Sequence, residues 1–145
     1  MNVKEIANIV NFGLVVLTWM VQLIVYPGFL YYSTEDLAKW HQAYTPAISI
    51  IVIPLMFGQL FISGYLVFNK FDLLNSIVMV LVILVWVITF VWAVPAHNNI
   101  ASGIEPQQQA ADLVKIHWYR TFVWSAIFIL GIIANYKQDS GIIEF

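Results

Sequence analysis

The sequence predicts an all-α polytopic membrane protein, a bundle of four transmembrane helices, on three observations. Of its 145 residues 61% are hydrophobic and only 10% charged, against about a quarter charged in soluble domains, and the mean hydropathy is +0.84. Residues 6–34, 40–69, 73–104 and 121–136 contain no Asp, Glu, Lys or Arg. Each run holds an apolar stretch near the length of about 20 residues that crosses a bilayer. Little sequence remains outside these runs, so residues 1–145 read as a single transmembrane domain without a soluble catalytic module.

Helix one is expected at about residues 6–26, ended by Pro27-Gly28. Its apolar run leads into Tyr26-Pro27-Gly28-Phe29 with no small-residue cleavage site, so it reads as a retained span and not a signal peptide. Helix two, at about 36–68, is entered through Ser33-Thr34-Glu35-Asp36, a capping sequence with acids in the first turn. Its length should carry its first turns beyond the lipid. Asn69-Lys70-Phe71-Asp72 makes a tight turn into helix three, at about 74–96, and a loop near 97–104 follows Pro95. Helix four, at about 105–135, opens at Glu105-Pro106, with proline in a tolerated first-turn position. Pro54 and Pro95 are expected to kink their helices and free carbonyls.

This connectivity puts both termini and the 69–72 turn on one side of the membrane. Lys4, Lys70 and Lys137 on that side face Lys39 and Lys115 on the other once Arg120 is assigned to the interior, which favours cytoplasmic termini. The absence of cysteine excludes disulfides, thiolate nucleophiles and thiolate metal sites. A net charge of -2 with scattered basic residues offers no patch for nucleic acid. The expected partners are the bilayer itself and a small molecule.

The polar residues converge. His41 near the start of helix two, His97 at the end of helix three and His117 at the apolar entrance of helix four all fall at one membrane face, with Tyr26, Trp40, Tyr44, Trp118 and Tyr119 at the same level. Aromatic residues alone would be an interfacial belt. Arg120 is different, because only 16 residues lie between it and Lys137, about 24 Å of helix against a hydrocarbon core of about 30 Å. One of the two must reach inward or snorkel, and an unpaired guanidinium there costs several kcal/mol. His117, Arg120, Thr121 and Trp124 share a helix face. So do Asn11, Thr18, Gln22 and Tyr26 on helix one, and His41, Thr45, Gln59 and Ser63 on helix two. Such stripes turn inward, away from lipid, which predicts a polar-lined crevice open toward the histidine end. The deeper Asn11, Thr18 and Ser63 read as interhelical hydrogen-bond glue.

The stretches "TWMVQLIVYPGF", "WHQAYTPAISIIVIPLMFGQ", "VPAHNNIASG" and "LVKIHWYRTFVWSA" together resemble a family of uncharacterised bacterial four-helix integral membrane proteins. The matching positions are Gln22, Tyr26 and Pro27; His41, Pro54 and Met56; Pro95 and His97; and Trp118, Arg120, Thr121 and Trp124. Val25, Gln59 and His117 depart from that pattern, where His, an acid and Asn are usual, and this argues against a family-wide three-histidine metal site. "VPAHNN" and the distal Arg-Thr are similar to the anthrone-oxygenase-like membrane proteins, whose members include cofactor-independent oxygenases. The resemblance implies a four-helix bundle in the bacterial inner membrane.

Two functions fit. The first is a small-molecule or cofactor site built from His41, His97, His117 and Arg120, with Gln22, Tyr26 and Trp124 around it. These groups suit a quinone, an aromatic substrate or haem with its propionates on Arg120, and a redox or oxygenase-like reaction. A dedicated metal site is less favoured, because no pair of histidines has tight ligand spacing. The second is a non-enzymatic structural subunit or small transporter, in which Arg120 locks the bundle.

Overall fold

A computed structural model of the chain describes residues 2–139, with side chains described for residues 2–136. Lys137, counted for orientation above, has a side chain outside the described residues. Among the described residues four helices are long and apolar enough to cross a membrane: α1, Val3–Phe29; α2, Thr34–Asn69; α3, Leu73–Ala101; and α4, Pro106–Asp139. Chain order gives an up-down-up-down path. α1 packs on α2 and α4, and α3 packs on the same two helices from the opposite corner.

The helix starts follow local chemistry. Asn2 caps α1 in a reciprocal box with Glu5. The Ser33 hydroxyl accepts from the Asp36 N–H at the start of α2, and the Asp72 carboxylate accepts from the Asn75 N–H at the start of α3. Gly103 and Glu105, at φ 72° and 44°, turn the chain from α3 into α4.

Two expected boundaries are corrected. α1 does not end at Pro27-Gly28 but runs on to Phe29, and α3 does not end at residue 96 but runs on to Ala101. The reason is the same in both. Residues Val21–Val25 and Thr89–Ala93 form π-helical turns, closed by the Tyr26 N–H on the Val21 carbonyl and the Val94 N–H on the Thr89 carbonyl, each spanning five residues. A proline in a regular α-helix meets the carbonyl four residues back. The widened turn ends two residues before Pro27 and two residues before Pro95, so each ring is accommodated and the helix continues. The loop expected at 97–104 shrinks accordingly, and His97 is helical. α2 continues through both Pro46 and Pro54.

The bundle is apolar outside and polar within, as a bilayer demands. Ile9, Val16, Leu23, Ile50, Val80 and Ile129 are exposed, whereas Asn11, Thr18, Gln22, Gln59, Ser63 and Thr121 are buried. One apolar cluster, around Phe29, Leu37, Ile100 and Leu113, fills the histidine end. A second, around Leu14, Val82, Trp124 and Ile127, fills the centre and the far end.

Candidate functional site

The inward stripes place the expected groups in one cluster. His97 sits at its hub because the π-helical turn of α3 precedes it. Its Nε2 lies 2.9 Å from the Tyr26 hydroxyl, and its Nδ1 lies 2.6 Å from His41 Nε2. The Tyr26 ring meets the His117 ring edge-on with centroids 4.7 Å apart. The His41 Nδ1 is buried and has no partner among the described residues. Tyr26, His97 and His41 therefore form a chain of hydrogen bonds that uses both nitrogens of His97, and a proton can pass along it by short hops.

On α4, His117 bridges to α1 and to the arginine. Arg120 Nη1 donates to His117 Nδ1 at 3.5 Å, so the opposite nitrogen carries the proton and donates from Nε2 to the Thr18 carbonyl at 3.2 Å. The Thr18 and Thr121 hydroxyls meet at 3.1 Å. Below them the Trp124 indole presents its face to the guanidinium, 4.9 Å from carbon to centroid, and its Nε1 donates to Gln59 Oε1. Gln59 Nε2 in turn donates to Asn11 Oδ1 at 2.8 Å. The reading of Asn11 as glue fits this link between α1 and α2. Thr18 does more, since it holds His117.

Arg120 is 6% exposed and makes no ion pair among the described residues, and its Nε has no hydrogen-bond partner there. It forms part of the wall of a cavity of about 240 Å³ between α2 and α3, backed by α1 and α4. His97, His117, Tyr26 and Trp124 line the same cavity. Gln22 and His41 do not. Gln22 is buried between α1 and α4 and donates to the Val114 carbonyl, and His41 stands behind His97.

Two expectations change at this level. The crevice does not open toward the histidine end, because Leu37, Ile100, Ala110 and Leu113, each at most 1% exposed, close the bundle one to two helical turns beyond the imidazoles. Haem held between His41 and His97 does not fit. These rings bond directly to each other and leave no gap for an iron between their nitrogens, while both nitrogens of His117 are already engaged. Nor does any group of three His, Cys, Asp or Glu among the described residues converge as metal ligands.

The structure also adds two groups. Thr45 Oγ1 and Trp86 Nε1 line the cavity, buried and without partners among the described residues. Thr45 belongs to the α2 stripe. Trp86 was missed, though its place near the middle of an apolar span, far from the interfacial levels where Trp collects, was a readable signal. No family model, curated protein or solved structure matches the sequence.

Proposed function

We propose that the protein is a small-molecule-binding protein of the bacterial inner membrane, with cytoplasmic termini, that holds an anionic oxygen head group on Arg120. One observation carries the reading: a guanidinium buried in a transmembrane bundle, facing a cavity, with an unpartnered Nε and no acid beside it. Burying such a charge costs several kcal/mol. The Trp124 face returns roughly 0.5–2 kcal/mol, and one long contact to a neutral imidazole and an interaction with the Tyr26 hydroxyl bring no negative charge. An oxyanion in the cavity supplies the missing pair, and Arg is the side chain whose planar fork suits a carboxylate. The Tyr26–His97–His41 chain stands beside the same cavity, where it can give a proton to the bound molecule or take one from it.

A structural lock is the second reading, favoured by the contacts Arg120 makes with His117 and Trp124. Arg120→Lys separates the two, since lysine keeps the charge and loses the fork. The variant and the wild type are purified in mild detergent, the acids that co-purify are measured by mass spectrometry, and both proteins are melted after delipidation. For a binding site, Arg120→Lys loses the co-purifying acid while the stripped proteins melt within a few degrees of each other. An equal loss of melting temperature in the stripped and loaded proteins overturns the binding reading in favour of the lock.

A further inference from the structure

We infer that the ligand reaches Arg120 sideways, from within the bilayer and through the seam between α2 and α3, and that it is a single-chain amphiphile with a carboxylate head and a hydrocarbon tail. This rests on the Arg120 reading above and adds to it a route and a ligand class.

The seam has a gap with a local cause. α2 touches α3 along Leu73–Ile88 and again along Val94–Ala101, but the two part along Thr89–Ala93, where the π-helical turn lies. Four of the five exposed cavity residues surround this gap, Ile53 at 51%, Phe57 at 42%, Phe90 at 58% and Val94 at 37%, and the fifth, Asn98, lies one residue beyond His97. All four belong to membrane-spanning segments, Ile53 and Phe57 in the middle of α2, so what they are exposed to is hydrocarbon. Leu37, Ile100, Ala110 and Leu113 meanwhile close the histidine end. The apolar part of the mouth therefore opens onto lipid tails, with Asn98 at its histidine-side edge.

The cavity is polar at one end and apolar at the other. Arg120, His117, Tyr26 and His97 form its inner wall, while Ile53, Phe57, Phe90 and Val94 form its mouth. A volume of about 240 Å³ lies below the roughly 300–1,000 Å³ that encloses a drug-sized molecule. The head and its first carbons fit inside, and the rest of a chain extends through the mouth among the lipid tails. Arg120 is the sole cation among the cavity's lining residues, which matches one carboxylate better than a doubly charged phosphate.

The test places full-length protein in phosphatidylcholine nanodiscs, photolabels it with a diazirine-bearing palmitate analogue and maps the cross-links by peptide mass spectrometry. We expect saturable labelling at residues 53–57 and 89–94 that palmitate competes away and butyrate at the same concentration does not. Arg120→Lys should weaken the competition by about tenfold, the loss when a forked pair becomes a single contact. Val94→Trp, a substitution at an exposed position that fills the mouth, should weaken it as well and keeps the test valid if the arginine variant does not fold. Labelling spread over all lipid-facing residues and insensitive to palmitate overturns the route. If butyrate raises the melting temperature in an Arg120-dependent way while palmitate neither labels the seam nor competes, the route falls and the anion site stands. If neither acid acts on wild-type protein, both fall.

Discussion

At the scale of single residues, the interior is a ladder of polar groups whose rungs differ in how many partners depend on them. Gln59 serves two, accepting from Trp124 and donating to Asn11. Gln59→Leu orphans both, and at about 0.6–1.7 kcal/mol per interhelical bond in a membrane it should destabilise by roughly 1–3 kcal/mol. Trp124→Phe removes one donor and keeps an aromatic face for Arg120, so it should cost less than Gln59→Leu. Unfolding of the two variants in mixed micelles checks the order, and a reversed order would show that the face and not the amide carries the energy. Tyr26→Phe leaves His97 Nε2 unpaired and breaks the proton chain at its cavity end. Its melting point should fall modestly, and hydrogen exchange at the His97 ring, read by NMR, should quicken. Most of these residues were legible as stripes because a polar side chain in an apolar run has only one face to turn to. Pairings such as His41 with His97 were not, since sequence spacing carries no information on which rings meet across helices.

At the scale of elements, α1 and α3 share one device, a π-helical turn followed two residues later by proline. Deleting Phe90, which is 58% exposed, would restore the regular period and drive the Pro95 ring into the carbonyl four residues back, while His97 keeps its facing because the widened turn already absorbs the extra residue. The deletion should cost at least about 3 kcal/mol, whereas Phe90→Ala, which keeps the register, should cost far less. A comparable loss in both variants would mean the side chain matters and the extra residue does not. The sequence located these two prolines yet suggested helix ends, because an extra residue in a uniformly apolar run such as "TFVWAV" leaves no break in periodicity to read. The Ser33 cap, the 69–72 turn and the Pro106 start were legible because capping and turn chemistry is local.

At the scale of the whole molecule, four helices long enough to cross a membrane place the 30–33 connection and the 70–72 turn at opposite ends of the bundle, and so on opposite sides of a membrane that all four cross. The chain has no cysteine, so single cysteines can be introduced without background. In inverted vesicles, whose outer surface is the cytoplasmic one, a membrane-impermeant maleimide should label Phe71→Cys and spare Tyr31→Cys, and in intact spheroplasts the reverse should hold. Ile50→Cys and Val80→Cys should resist labelling in both. Labelling of Phe71→Cys and Tyr31→Cys from the same side would refute the four-span topology, and a simple exchange of sides would refute only the orientation. The polar ladder also bears on how the chain is made. α4 is the least apolar of the four spans, and its His117, Thr121 and Ser125 find partners in Thr18 and Trp19 of α1, synthesised about a hundred residues earlier. As a lone segment leaving the ribosome, α4 would partition poorly into lipid, since an arginine at depth works against insertion. α1 must therefore remain beside the insertion machinery until α4 emerges, which makes assembly of this bundle a matter of waiting as much as of packing.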